Sequence, residues 1–277
     1  MSERVRGNGP FAKFRRMSAE HGMTAAAAEL FQDANIAVSL RGRTASWGRT
    51  GIPVLFIGDH RKGLEPAVFA AAMGQVGRRD IHFLGLPFGI TNKVAHALDE
   101  RNVNFVLPVW PRYLAKDSPK RGREKKLKPK QRVMKLVFGR RLSRKEIDER
   151  NGRSLSQAAD KLRQGECLYI SPTGSSGKRM DAEWYSGVGT ILAKLNPAER
   201  EKTLVVPFVC EGDYNPMRLA RSMARRVLRI PSLPQQIVVS FGKEHQSVYQ
   251  LVGNKTDPAD ITDILKRYYL RRMSGNL

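Results

Sequence analysis

Six short apolar runs constrain this chain of 277 residues more than any other feature. They are IPVLFIG (52–58), IHFLGL (81–86), VNFVLPV (103–109), CLYIS (167–171), TLVVPFVC (203–210) and IVVSFG (237–242). None approaches the roughly 18 apolar residues a membrane span needs. Each is rich in Val, Ile, Leu or Phe and reads as a strand, IPVLFIG as a buried one. Helical spacing fills the gaps. EPAVFAAAMGQVG sets Val68, Ala71, Ala72 and Val76 on one face, and a turn at Pro87 and Gly89 precedes a helix near Thr91–Glu100. A further helix is expected over roughly Leu155–Gln164, and DPADITDILKRYYLRRM closes the pattern with an aspartate near its start. Alternating strands and helices predict an α/β fold: a single domain with a central mixed β-sheet flanked by helices.

Two segments depart from that rhythm. Residues 1–45 are basic and weakly patterned, with one helix expected around Ala25–Phe31, and are read as an N-terminal segment ahead of a domain over 46–277. Residues 113–150 read as a basic insertion. The part from Lys116 to Lys135 holds ten basic and two acidic residues, a net of +8. The whole chain carries 49 Lys and Arg against 26 Asp and Glu, a net of +23, which suits an anionic partner: nucleic acid, an anionic lipid surface or a phosphorylated substrate. No nucleic-acid-binding module is recognisable, and no aromatics interleave the lysine-rich loop, which argues against nucleic acid. Cys167 and Cys210 both lie in apolar runs and read as buried thiols. The first residues lack the apolar core of a signal peptide, so the expectation is a cytoplasmic protein.

The stretch PTGSSGKRM (172–180) looks at first like a nucleotide phosphate loop, and it is not one. Counting back from Gly177-Lys178, the pattern needs glycine where Pro172 stands and a hydroxyl where Arg179 stands. The more informative stretch is Asp59-His60-Arg61-Lys62-Gly63-Leu64-Glu65-Pro66, directly after the first run. Here an imidazole and a carboxylate lie five residues apart, with Gly63 between them to permit a turn. That is the composition of a general base with its orienting acid. A solvated histidine near an unrelated glutamate would have the same spacing. No second His or Cys stands at metal-ligand spacing.

The block resembles the His-x4-Asp signature of the glycerolipid acyltransferases, the family that includes lysophosphatidic acid acyltransferases. His60 falls on the family's histidine, Glu65 on its carboxylate and Asp59 on its usual asparagine. Further likenesses follow in order: LPFG (86–89) with NFVLPVWPR ending at Arg112, then SPTGS (171–175) after a strand, then VVPFVCEG (205–212), then VVSFGKE (238–244) before the last helix. The likeness covers roughly residues 48–272. Thr173 stands where the family has glutamate, which implies an altered acceptor pocket.

The resemblance implies a glycerolipid acyltransferase-like fold and an O-acyltransferase of phospholipid biosynthesis. His60 and Glu65 would be catalytic, and Arg112, Thr173, Gly174, Ser175, Lys178 and Arg179 would bind substrate, with backbone N–H groups near Gly174 facing the oxyanion. No cofactor is implied. Acyl-CoA or acyl carrier protein would be the donor and a lysophospholipid the acceptor, with 1-acylglycerol 3-phosphate leading. The protein would sit peripherally on an anionic membrane at its cytoplasmic face. RLARSMARRVLRI (218–230), with Leu219, Met223, Val227 and Ile230 on one helical face and arginines on another, suits an interfacial helix or an ordinary surface helix. Two other readings stay open: a non-catalytic nucleic-acid-binding protein, and an inactive acyltransferase-like protein that binds lipid.

Overall fold

The computed structural model describes residues 10–42, 44–85, 106–109, 143–174, 179–214, 216–228, 234–243 and 245–274. In chain order these form α1 (Pro10–His21), α2 (Met23–Asp33), β1 (Ile36–Arg41), β2 (Val54–Gly58), α3 (Glu65–Val76), β3 (Ile81–Gly85) and β4 (Val106–Pro108). Then come α4 (Arg144–Arg163), β5 (Cys167–Ile170), α5 (Gly187–Ala193), α6 (Pro197–Lys202), β6 (Leu204–Glu211) and α7 (Pro216–Val227). The last elements are β7 (Gln235–Phe241), β8 (Gln246–Ser247), α8 (Val248–Val252) and α9 (Pro258–Met273). The class is mixed α/β, as the alternation predicts.

One mixed sheet runs in the order β1-β7-β6-β2-β5-β3-β4. The five strands β6, β2, β5, β3 and β4 are mutually parallel. β7 runs antiparallel to β6, and β1 lies parallel to β7. Where β7 leaves β6, the two-residue β8 pairs with the start of the same strand. Pro207 falls at that break, between the residues paired to β8 and those paired to β7. A residue without an amide hydrogen is tolerated there because the ladder is interrupted.

The pleat sends alternate residues to two cores. Val54, Phe56, Cys167, Tyr169, Val206 and Phe208 face one core, shared with α2, α3 and α7. Leu55, Ile57, Leu168, Ile170, Val205 and Val209 face the other, filled by α4, α5, α8 and α9. Every residue of β2 is buried, which is why its sequence is continuously apolar rather than alternating. On the first face Phe69 of α3 packs against Phe56, Tyr169 and Phe208 with ring centroids 4.9, 5.2 and 4.5 Å apart.

Two regions differ from the sequence reading. Residues 10–41, read as a weakly patterned segment with one short helix, contain two helices and an edge strand; Ala26, Ala27, Leu30, Phe31 and Ile36 are buried in the first core. The helix expected over Leu155–Gln164 begins at Arg144, so the end of the stretch read as an insertion is its first two turns. A capping box of Ser143 and Glu146 starts it, but only Ile147 is buried in its first ten residues, so the hydrophobic pattern is silent there. α7 exists as expected, and Leu219 and Met223 are turned into the first core, as in the ordinary surface helix of the two readings. Met217 and Leu228, at its two ends, stay exposed. The helix near Thr91–Glu100, the body of the basic stretch from 113 to 142, and Arg112, Ser175 and Lys178 lie outside the described residues. Among the described residues no helix is long and apolar enough to cross a membrane.

Candidate active site

In open sheets of this kind, ligands bind beyond the carboxyl ends of the parallel strands. β2 and β5 are adjacent and in register, Ile57 opposite Ile170, so the loops from Asp59 and Ser171 leave the sheet side by side. β6 lies on the other side of β2, with Gly58 opposite Phe208, and its loop carries Gly212 to Tyr214 to the same edge.

The pair anticipated from sequence forms. His60 Nδ1 lies 3.1 Å from Glu65 Oε2. Gly63, with φ of 90°, makes the turn that the spacing demanded, in a region that favours glycine. The same carboxylate accepts the amide N–H of Lys62 at 2.5 Å and that of Gly63 at 2.8 Å, so the loop closes around the acid it positions. Glu65 is also in the first turn of α3, where the helix dipole favours an anion. From the sheet side, the Tyr214 hydroxyl approaches Glu65 Oε1 at 3.4 Å and donates to the Cys210 carbonyl at 3.2 Å. Lys62 Nζ sits 4.5 Å from the centre of the Tyr214 ring and donates to the Gly212 carbonyl. Glu65 is wholly buried, whereas the His60 side chain retains 28% exposure. With Nδ1–H donated to the carboxylate, Nε2 holds the lone pair that can take a proton.

A second carboxylate lies beside this pair. Asp59 is 1% exposed, and its Oδ2 accepts from Arg61 Nε at 2.5 Å. Its Oδ1 has no hydrogen-bond partner among the described residues. The Tyr169 hydroxyl holds the Asp59 carbonyl at 3.2 Å. The two acids are driven apart. Burial raises Asp59, and the neighbouring Glu65 charge adds to this, against the partial relief given by Arg61. Burial would also raise Glu65, but the hydrogen bonds from His60 and from backbone amides outweigh it and hold the carboxyl below its ordinary value. Neighbouring acids pushed in opposite directions are a feature of acid–base sites.

Their linkage to folding therefore has opposite signs. Glu65 contributes stability that is present above its unfolded pKa of about 4.3 and lost as pH falls through the lower folded value. Asp59 contributes stability that is complete below its unfolded pKa of about 3.9 and lost as pH rises through the higher folded value. Urea denaturation across pH 3 to 8 is expected to show Glu65→Gln losing most against wild type near neutrality, with the gap closing in acid. Asp59→Asn should gain on wild type as pH rises. Parallel slopes for the two variants would contradict this assignment.

After β5, Thr173 is wholly buried, with its hydroxyl 3.5 Å from that of Ser171. Gly174 has φ of 67°, and a Cβ there would meet the Tyr185 ring at 2.7 Å; Tyr185 N–H donates to the Pro172 carbonyl at 2.9 Å. The glycine thus lets Tyr185 close over the turn. Gly174's own N–H is spent on the Ser171 carbonyl at 3.0 Å, which removes that amide from the expected oxyanion contacts. Arg179 is exposed and lies 3.4 Å from Asp181. Sequence reading missed Tyr214 and the roles of Asp59 and Arg61. Arg61 and Asp59 lie within the quoted motif, but nothing local signals that their side chains join; Tyr214 carries no local signal at all.

Cys167 and Cys210 are buried, with thiols pushed up by burial, which leaves them poor nucleophiles. Among the described residues no group of three or more His, Cys, Asp or Glu is arranged to hold a metal ion. A buried, hydrogen-bonded carboxylate thus stands behind a partly exposed imidazole at the carboxyl edge of the parallel strands, the geometry of a general base with its orienting acid. Compared with known proteins, the chain matches no protein-family model and no curated protein.

Proposed function

We propose that the protein is an acyltransferase of glycerolipid acyltransferase-like fold, moving a fatty acyl group from an acyl thioester to the hydroxyl of a phosphate-bearing lipid. The observation that carries this reading is the His60–Glu65 pair, at 3.1 Å with the carboxylate buried and hydrogen-bonded. His60 Nε2 takes the proton of the acceptor hydroxyl as that oxygen bonds to the thioester carbon. The tetrahedral intermediate collapses with cleavage of the C–S bond, and the thiolate recovers the proton from the imidazolium. The ester and a free thiol are the products, and no covalent enzyme intermediate is needed. The donor is acyl-CoA or acyl carrier protein, and 1-acylglycerol 3-phosphate is the leading acceptor. The net charge of +23 supports peripheral residence on an anionic membrane at its cytoplasmic face.

The test is thiol release from a long-chain acyl-CoA by purified protein, with 1-acylglycerol 3-phosphate in liposomes. Release that requires both the acceptor and His60 is the expected result. If neither acyl-CoA nor an acyl carrier protein thioester gives acceptor-dependent release with any of a panel of lysolipids, the reading fails.

A further inference from the structure

The two carboxylate oxygens of Glu65 have different partners. Oε2 faces His60 Nδ1 at 3.1 Å and the Gly63 amide at 2.8 Å. Oε1 accepts the Lys62 amide at 2.5 Å, and the Tyr214 hydroxyl approaches it at 3.4 Å. The first three of these groups belong to the loop between β2 and α3 and move with it. Tyr214 does not: it stands 149 residues away in sequence, in the loop after β6. Its ring is 2% exposed and packed in the first core. The single hydroxyl hydrogen is shared between Glu65 Oε1 and the Cys210 carbonyl, 3.2 Å away at the end of β6. Lys62 Nζ lies 4.5 Å from the ring centre and donates to the Gly212 carbonyl, which ties the loop after β2 to the loop after β6. Burial pushes the phenol above its ordinary value, so it stays a neutral donor beside the acid.

A carboxylate rotates readily about its last carbon–carbon bond, and it orients an imidazole only while one oxygen stays directed at the ring N–H. A donor fixed to the sheet opposes that rotation, because turning the carboxylate would cost the buried oxygen its partner. We propose that Tyr214 is a positioning residue for the His60–Glu65 pair: its hydroxyl holds Glu65 Oε1 from the sheet, so that Oε2 stays directed at His60 Nδ1. Lys62 supports the arrangement twice, through its amide on the same oxygen and through its ammonium on the loop that carries Tyr214. The proposal deepens the proposed function and rests on it for the effect on turnover. Its effect on the imidazole does not depend on which reaction the pair performs.

Tyr214→Phe removes the hydroxyl and keeps the ring that Lys62 covers, and two measurements on the full-length protein test it. In the acyl-transfer assay kcat should fall about 2- to 10-fold, the worth of one neutral hydrogen bond, with KM for the acceptor unchanged. The second readout needs no turnover. Proton–nitrogen NMR correlations through the carbon-bound ring protons report which imidazole nitrogen is protonated, and His60→Gln assigns the signal. Wild type should show His60 protonated at Nδ1, as its bond to Glu65 requires, and Tyr214→Phe should shift the ring toward the Nε2–H tautomer. Tyr249→Phe, which removes an exposed hydroxyl from α8, should match wild type in both measurements. Lys62→Met, at an exposed position, loosens the same loop and should move the tautomer in the same direction. It carries the test if Tyr214→Phe does not fold. A merely structural role for the hydroxyl would lower the melting temperature and leave the tautomer where it is. An unmoved tautomer, a wild-type kcat in Tyr214→Phe, or an equal change in Tyr249→Phe overturns the positioning role. Wild-type protein inactive with every donor and acceptor removes the acyltransferase reading alone, and the tautomer then decides the role of Tyr214.

Discussion

Replacing His60 with alanine is expected to slow acyl transfer by about 10²–10⁴-fold, the usual contribution of a positioned general base. The acceptor hydroxyl has a pKa far above neutrality, so without a base its oxygen attacks the thioester as a poor nucleophile. The substitution touches little else. His60 is only partly buried, and its one hydrogen bond within the described residues is to Glu65, whose carboxylate keeps the amide hydrogen bonds from Lys62 and Gly63. Melting temperature should therefore move far less than rate. Glu65→Gln tests the same pair from beneath. It keeps one acceptor oxygen where the loop amides of Lys62 and Gly63 use two, and removes the charge that stabilises the imidazolium, so activity should fall. A His60→Ala protein that turns over acyl-CoA and acceptor at the wild-type rate would falsify the general-base assignment.

Replacing Arg78 with methionine is expected to destabilise the protein by about 3–5 kcal/mol, the range for breaking a buried ionic network by removing one member. Arg78 follows the left-handed Gly77 that ends α3, and it is wholly buried. Its Nε and Nη2 grip Asp80 at 2.8 and 2.6 Å. Nη1 donates to the Trp47 carbonyl at 2.9 Å and to that of Arg49, and Nη2 to the Ile52 carbonyl at 3.1 Å. Cys167 Sγ lies 2.6 Å from Nη2. One guanidinium thus satisfies three carbonyls of the loop between β1 and β2, and pins that loop below the amino end of β5. Methionine would fill the stem's volume but leave these carbonyls and Asp80 without donors. Trp47, buried under the loop against Phe56 and Phe241 at 5.2 and 4.7 Å, should report the change in its fluorescence. Urea titration measures the loss directly; a midpoint within error of wild type would show that the loop holds without its clamp. Because Arg78 lies at the opposite end of the strands from His60, catalysis per folded molecule should be preserved.

The two experiments probe groups with unlike visibility in the sequence. His60, Gly63 and Glu65 act within six residues, so their spacing alone announces a turn that brings imidazole to carboxylate. Arg78 lies in a run GRRD that reads as a polar connection, and its carbonyl partners at 47, 49 and 52 carry no side-chain signal. Glu65 and Tyr214 are 149 residues apart in sequence, and meet only because β2 and β6 are neighbours.

What the sequence determined by itself is local. Continuous Val, Ile, Leu and Phe runs made β2, β3, β5, β6 and β7 legible, because a strand buried on both faces has no polar side to show. Asp257, accepting from the amides of Ala259 and Asp260, and the helical spacing after Glu65 marked helices for equally local reasons. Tertiary structure decided the rest. It placed β2 between β5 and β6, docked β1 on β7, and turned Leu219 and Met223 of α7 into the core. It also shifted the carboxyl of Asp59 up and that of Glu65 down from their ordinary pKa values. Periodicity reports which face of an element is apolar but not what covers it. A pKa depends on burial and on charges that arrive from distant parts of the chain, so both become definite only when the strands have found their neighbours.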